Sequence, residues 1–150
     1  MKNIPISKGK VLVVDDEQIV LTAFKIELQE AGFNVRTARS GKEALALLLN
    51  EPAEVVFTDL IMPEMNGTEL CRQIKRISLY TEVVLFSGNP YEVSQQQEAF
   101  MAAGGRDEML RKPLADNILV SVTENLIKEI RYKREFFGDR ANAKETHTYR

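Results

Sequence analysis

The sequence predicts an α/β fold: a doubly wound sheet of five parallel strands, covered by helices on both faces. Five short apolar runs alternate with five segments of helical periodicity along the 150 residues, and no segment is repeated. Three of the runs are apolar throughout, as expected for strands buried on both faces of a parallel sheet. The run from Phe33 to Ala38 alternates instead, which indicates an edge strand and favours the strand order 2-1-3-4-5.

The composition limits the class of protein. A hydrophobic content of 44% supports one domain with a substantial core, and a net charge of −2 provides no basic field for nucleic acid or an anionic membrane. The single cysteine excludes an internal disulfide. The first residues lack the apolar run of a signal peptide, and the longest such run, Ala44 to Leu49, is too short to span a bilayer. We therefore expect a cytoplasmic protein that binds neither nucleic acid nor a membrane.

The first half of the chain is predicted to hold two strands and two helices. A leader over residues 1–9 precedes the first strand, 10–14, and helix 1 then runs to about Glu30. Ser40 is expected to cap helix 2 in a capping box with Glu43. The apolar positions of these helices are Ile19, Val20, Ala23, Phe24 and Leu28 in helix 1, and Ala44, Leu45, Leu47, Leu48 and Leu49 in helix 2.

The second half completes the alternation. Its elements follow in order: a central strand (54–59), helix 3 after the Asn66-Gly67 turn, a fourth strand (82–87), helix 4 (about 91–103), a fifth strand (108–111) and helix 5 from Pro113. Leu70, Ile74 and Ile77 are spaced for one face of helix 3. Cys71 adjoins that face, and we interpret it as a small buried hydrophobic residue.

The folded domain is predicted to cover residues 10–131, followed by a helix 5 extension and a disordered tail over residues 132–150. From residue 138 the tail lacks apolar periodicity, and its histidine, His147, receives no role. Tyr132 and Phe136 lie four residues apart, so an extended helix 5 would present either a solvated end or a docking or dimer surface. We expect no further folded domain among the residues after helix 5, because they are few and polar.

Polar residues follow four of the predicted strands: Asp15 and Asp16, Asp59, Ser87 and Lys112. Because the carboxyl ends of parallel strands meet at one edge of the sheet, Asp15 and Asp16 should face Asp59 across one strand spacing, about 5 Å. Two carboxylates at that distance repel by about 3 kcal/mol at an effective dielectric constant of about 20. A cation should therefore bind, and hard oxygen ligands without a nearby His or Cys favour Mg²⁺, or alternatively Mn²⁺.

The Ser87 hydroxyl and the Lys112 ammonium complete an electrostatic cradle for a phosphoryl group. Asp59 would then be the covalent acceptor, as an aspartyl phosphate. The residues leave other interpretations open: a structural cation site, scattered salt bridges, or Asp59 as a helix cap. An aspartate-nucleophile phosphohydrolase would carry two aspartates separated by one other residue, whereas Asp15 and Asp16 are adjacent in the chain. A phosphate-independent interaction module is the third class of function.

Four motifs resemble the receiver domain of bacterial two-component response regulators, a flavodoxin-like (βα)5 fold, over about residues 9–130. They are Val13-Val14-Asp15-Asp16-Glu17, the segment from Asp59 to Gly67, Phe86-Ser87-Gly88 and Lys112-Pro113. The resemblance implies a chemotaxis-regulator-like signalling protein rather than an enzyme. Asp59 would accept a phosphoryl group from a histidine kinase or a phosphotransfer protein.

The resemblance also implies a role for each site residue. Asp15 and Asp16 would be metal-site acids, with Asp16 and Asp59 nearest the Mg²⁺ and the backbone carbonyl of Ile61 completing the protein ligands. Ser87 would be the switch hydroxyl, and Lys112 would contact the phosphoryl oxygens.

One position departs from the family pattern. Receivers usually carry Tyr or Phe three residues before the Lys-Pro lysine, and here that residue is Met109, which cannot rotate as a rigid ring. Phosphorylation is expected to repack the face formed by helix 4, strand 5 and helix 5 for a downstream protein or a second copy. The chain would act as a stand-alone regulator or relay intermediate, or as the receiver of a longer regulator with a separate output domain.

Overall fold

The computed structural model describes residues 7–112 and 117–148, so residues 1–6, the predicted helix start at Pro113 and residues 149–150 lie outside it. The elements are β1 (Lys10–Val14), α1 (Gln18–Glu30), β2 (Asn34–Ala38), α2 (Gly41–Asn50), β3 (Val55–Asp59), α3 (Gly67–Ile77), β4 (Glu82–Ser87), α4 (Pro90–Ala102), β5 (Met109–Arg111) and α5 (Ile118–Thr148). The five strands form one parallel sheet in the order β2-β1-β3-β4-β5, which confirms the predicted fold class and strand order.

Side-chain caps begin three of the helices close to the carboxyl edge of the sheet. Asn66 Oδ1 accepts from the backbone N–H of Glu69 at 2.8 Å and begins α3, while Asn89 Oδ1 accepts from that of Tyr91 at 3.0 Å and begins α4. Ser40 Oγ accepts from the Glu43 N–H at 3.1 Å, as predicted. The Glu43 carboxylate accepts from the N–H of Arg39 rather than of Ser40, so only half of the predicted capping box forms.

The core consists of two apolar layers, one on each face of the sheet. The α1 and α5 side centres on three aromatic rings, with Phe24 lying 6.5 Å from Phe57 and 4.8 Å from Phe86 between ring centroids. The other layer joins the sheet to α2, α3 and α4 and contains Cys71. Burial raises the pKa of the Cys71 thiol to about 11, so Cys71 is the neutral core residue that the sequence predicts.

Four residues of α1, α2 and α3 that were expected on core faces are exposed instead. Ile19 is 77% exposed, Leu49 is 72% exposed, Ile77 is 44% exposed, and Ala23 is also exposed. Each lies at the edge of a buried stripe that is narrower than the run of apolar residues, because only about a third of a helix surface can face a flat sheet. In α1 the buried stripe is Leu21, Phe24 and Leu28.

The helix α5 is longer than predicted. It spans 31 residues, and its backbone remains helical from residue 138 to Thr148, where the sequence analysis expects disorder. This helical backbone differs from the disordered tail that the sequence analysis expects, and the tail stays a prediction. The lack of apolar periodicity after residue 138 argues only against packing of this segment into the core. A helix can still continue through it, because extending an existing helix requires no new nucleation and residues 140–145 are mostly good helix formers.

Candidate functional site

The register of the sheet brings the predicted site residues together at its carboxyl edge. Val14 pairs with Thr58, so Asp15 and Asp59 leave neighbouring strands at the same level. Asp59 pairs with Phe86, and Ser87 follows one residue further along β4. Asp15 is fully buried, Asp59 and Ser87 are buried, and Asp16 is half-buried at the rim. The predicted convergence on one edge is therefore observed.

Lys112 joins the two buried carboxylates. Its Nζ lies 2.7 Å from Asp15 Oδ2 and 3.8 Å from Asp59 Oδ2, so the hydrogen bond goes to Asp15. The backbone N–H of Lys112 donates to the Ser87 carbonyl at 3.0 Å, which fixes the start of the loop after β5. The ammonium also lies 4.9 Å from the centre of the Phe86 ring. Lys112 therefore already occupies the position from which it could reach an oxygen added to Asp59.

The loop after β3 orients the Asp59 carboxylate. Asp59 Oδ1 accepts from the backbone N–H of Leu60 at 2.9 Å, and the Gly67 N–H donates to the Leu60 carbonyl at 2.8 Å. A Cβ on Gly67 would lie 2.4 Å from the Asp59 carbonyl oxygen, so only glycine allows α3 to start this close to the strand. One oxygen of Asp59 is thereby held, and the other, Oδ2, faces Lys112.

The surroundings of Asp59 oppose its negative charge. Burial raises its pKa to about 6, and the neighbouring Asp15 and Asp16 carboxylates act in the same direction. The Lys112 ammonium and the Leu60 N–H act in the opposite direction and stabilise the ionised form. With this pKa, about nine tenths of the carboxyl is ionised at pH 7. A cation placed beside these acids would also favour the ionised form and so lower the pKa of Asp59.

The closest group of acids is Asp15, Asp16 and Glu17, which each offer a carboxylate oxygen within 4.8 Å of one another. Both oxygens of Asp15 already accept hydrogen bonds, from Lys112 Nζ and from the Glu17 N–H at 2.8 Å. The rim acids Asp16 and Glu17 are more accessible than Asp15. The sequence analysis assigned no role to Glu17, although it lies next to the predicted acids in the chain.

The three remaining site residues lie in or beside the loops of this edge. Ser87 Oγ accepts from the backbone N–H of Asn89 at 3.2 Å, so the Ser87 hydroxyl bonds to the loop before α4 rather than to Asp59. Ile61 follows Leu60 at the rim and is 51% exposed. Met109 is partly buried against the α2, α3 and α4 side of the core, at the edge of the sheet. The roles expected for these three residues stay predictions.

Arg39 is a rim residue that the sequence analysis did not single out. Its Nη2 donates to the backbone carbonyl of Asp16 at 3.1 Å, and the N–H of Asp15 donates to the Ala38 carbonyl at 3.1 Å. These two bonds join the loop after β2 to the loop that carries the rim acids. The sequence offered one signal for Arg39: it directly follows the edge strand β2, so it lies at the same carboxyl edge of the sheet as the predicted site residues.

Among residues 7–112 and 117–148, no helix combines the length and the apolar character that a membrane span requires.

Comparison with known proteins identifies the family of this chain. The sequence model of the response regulator receiver domain matches residues 11–124. The alkaline phosphatase synthesis transcriptional regulatory protein PhoP of Bacillus subtilis is 28% identical over 71% of this chain and 43% of its own length. The response regulator SaeR of Staphylococcus aureus is 29% identical over 80% of this chain and 51% of its own length. The chain thus spans about half the length of these curated relatives.

A solved structure supports the same assignment. The chemotaxis response regulator CheY4 of Vibrio cholerae superposes with a TM-score of 0.71 at 27% identity, over 79% of this chain and 98% of that one. Sequence motifs, sheet topology and the acidic edge therefore agree with the family match. The chain belongs to the response regulator receiver domain family of two-component systems.

Proposed function

We propose that Asp59 accepts a phosphoryl group from a histidine kinase or a phosphotransfer protein, with Mg²⁺, and thereby alters the α4, β5 and α5 face for a partner protein. The observation that carries this proposal is the placement of Asp59 Oδ2, which accepts no backbone hydrogen bond from residues 7–112 or 117–148 and lies 3.8 Å from Lys112 Nζ. The chain is then a signalling module that transfers a phosphoryl group to itself, and not a classical enzyme. A cytoplasmic location follows from the same role.

The donor set fits Mg²⁺, with Mn²⁺ as the alternative. The acids Asp15, Asp16 and Glu17 offer carboxylate oxygens close to one another. Carboxylate and carbonyl oxygens are the ligands that these hard cations prefer. Asp16, Asp59 and the Ile61 carbonyl would hold the ion, with Asp15 as the buried acid behind them. The bound ion would supply positive charge that offsets the repulsion among the acids and the phosphoryl oxygens.

The residues of the chain determine which oxygen reacts. The Leu60 N–H holds Oδ1, so Oδ2 is the oxygen that would attack. A bond forms between Oδ2 and phosphorus while the phosphorus–nitrogen bond of the donor phosphohistidine breaks, and its electron pair stays on the imidazole nitrogen. Lys112 would then stabilise the added oxygens, because its ammonium already lies beside Oδ2.

The proposed switch starts at Ser87. Its Oγ now accepts from the Asn89 N–H, and Asn89 caps α4, so a Ser87 hydroxyl that turned to donate to a phosphoryl oxygen would release one contact at the start of that helix. Such a shift would repack the face around Met109, which could bind a downstream protein or a second copy. Both outputs stay open: a stand-alone regulator or relay intermediate, and a receiver attached to an output domain as in a transcriptional regulator.

Phosphate incorporation tests the proposal. The chain should acquire acid-labile phosphate from acetyl phosphate with Mg²⁺, and Asp59→Asn should abolish the incorporation. The matched control is Asp107→Asn, which removes an exposed carboxylate outside the site and should not change labelling. Labelling that persists in Asp59→Asn would place the acceptor elsewhere, whereas turnover of a generic phosphate ester would favour a phosphohydrolase.

A further inference from the structure

Three exposed aromatic residues form a cluster on α5 where the helix leaves the domain. Ile130 is buried, and residues 131–137 are all exposed. Tyr132 and Phe136 are each 57% exposed and Phe137 is 48% exposed, with ring centroids 4.5 Å apart for Tyr132–Phe136 and 6.4 Å apart for Tyr132–Phe137. We call these residues the aromatic cluster. A contiguous apolar patch of this kind marks an interaction surface.

A groove lies next to the cluster on the same side of the helix. It encloses about 590 Å³ and is lined by Glu108, Asn125, Lys128, Glu129, Tyr132 and Lys133. Positions 125, 129, 132 and 136 are three or four residues apart, so they share one face of α5. A protruding ring, Phe136, therefore follows an open groove about two helical turns along this face.

The charges beside this face are ordered for pairing with a second, antiparallel copy. Lys128 and Glu135 lie on one flank of the face. On the other flank, Glu129 and Lys133 already form ion pairs within their own domain, with Arg106 at 3.0 Å and with Glu82 at 3.7 Å. Around a two-fold axis between Arg131 and Tyr132, each Lys128 would meet the second copy's Glu135. A two-fold interface repeats every contact, so this pairing gives two attractive contacts.

Arg131 and Arg134 are also turned toward their own domain. Arg131 Nη2 donates to the Lys8 carbonyl at 3.0 Å, and the Arg134 guanidinium lies 5.5 Å from the centre of the Tyr80 ring. They therefore do not crowd the proposed axis. In the same arrangement the second copy's Phe136 reaches the level of Asn125 and Lys128, where the groove is open.

We propose that α5 pairs with the α5 of a second copy in an antiparallel two-fold dimer centred near Tyr132, in which each Phe136 enters the groove of the other copy. This pairing does not depend on phosphorylation and differs from a dimer formed through the switched α4, β5 and α5 face. It would also stabilise the projecting helix, because an isolated helix of about 18 residues is only marginally stable in water.

The size of the patch sets the expected strength. An aromatic side chain buries roughly 200 Å² when fully covered, so half-exposed rings contribute roughly 100 Å² each. Only Tyr132 and Phe136 of the cluster lie on the paired face, so two copies supply roughly 400 Å². That is about a third of what a stable interface needs, and the long charged side chains must supply the rest. We therefore expect a dissociation constant in the micromolar range rather than an obligate dimer.

Sedimentation velocity of the full chain, without Mg²⁺ or phosphoryl donor, tests the pairing between about 5 and about 500 μM. The wild type should show a reversible monomer–dimer equilibrium, and Phe136→Glu should remain monomeric across the range. Leu49→Asp is the matched control, because it places a charge on an exposed apolar residue of α2 and should leave the equilibrium unchanged. A monomeric wild type, or a Phe136→Glu variant that still dimerises, would overturn the proposal.

A charge exchange tests the antiparallel register. Lys128→Glu should weaken the dimer at least about tenfold, because it turns two symmetry-related attractions into repulsions. Adding Glu135→Lys should restore the affinity, since the exchanged pair is again complementary. Failure of the double variant to recover would refute this register. Acetyl phosphate labelling of Asp59 should be the same in all these variants, so the dimer and the phosphoacceptor proposal can fail independently.

Discussion

Removing the negative charge at position 59 should stabilise the protein in the absence of metal. Burial raises the pKa of Asp59 from 3.8 to about 6. The folded state therefore binds the proton more tightly than the unfolded state, and stability is lost as the pH rises from about 4 to about 6. The shift of about two pKa units corresponds to about 3 kcal/mol at pH 7 and above. Asp59→Asn removes this loss and keeps an oxygen that can accept from the Leu60 N–H.

The assay is urea unfolding of the wild type and Asp59→Asn between pH 5 and pH 7.5 with a metal chelator present. The free energy of unfolding of the variant, relative to the wild type, should increase by about 1.5 kcal/mol across this interval, because part of the titration is already complete at pH 5. Glu98→Gln, which removes an exposed carboxylate from α4, is the control and should show no comparable increase. A pH-independent difference, or an Asp59→Asn variant less stable than the wild type at pH 7.5, would refute the electrostatic account.

Three further predictions follow from the same site. Mg²⁺ at ten times its dissociation constant should stabilise the wild type by about 1.4 kcal/mol in thermal or urea unfolding, and Asp59→Asn should lose most of this gain; an equal gain in both proteins would place the ion elsewhere. Lys112→Met should destabilise the apo protein by about 3 kcal/mol in urea unfolding, because it leaves the fully buried Asp15 carboxylate without its cation; unchanged stability would contradict a stabilising Lys112–Asp15 ion pair. Gly67→Ala should cost about 2 kcal/mol and slow labelling by acetyl phosphate, because the added Cβ meets the Asp59 carbonyl at 2.4 Å. Gly88→Ala, whose Cβ has only a 4.0 Å contact with Lys112 Cβ, is its control and should be nearly neutral in stability, and equal effects of the two would contradict the steric argument.

Much of the fold could be predicted because strands buried on both faces of a parallel sheet consist mostly of apolar residues, which the sequence shows directly. The strands β1, β3 and β4 are buried along nearly their whole length, and each is a nearly continuous apolar run. The exposed parts of the helices were less predictable. Ile19 and Leu49 satisfy helical periodicity yet point to solvent, because periodicity does not say how wide the face against the sheet is.

The site was also predictable only in part: its residues could be predicted, but the contacts between them could not. Its members were predictable because parallel strands bring their carboxyl ends to one edge, so Asp15, Asp59, Ser87 and Lys112 were expected together before any distance was known. Distances decide their partners: Lys112 donates to Asp15 rather than Asp59, and Ser87 accepts from the loop before α4. The tie from Arg39 to the Asp16 carbonyl was not predicted, because a side-chain bond to a backbone atom of a distant loop has no sequence signature.

The sequence by itself determined which residues form the sheet, the order of its strands and the edge where the acids meet, since these follow from local patterns and the rules of parallel sheets. The tertiary structure alone decided the hydrogen bonds within that edge, the raised pKa of Asp59 and the close approach of Gly67 to the central strand. These properties depend on burial and on distances between segments far apart in the chain, and both exist only once the segments have packed together.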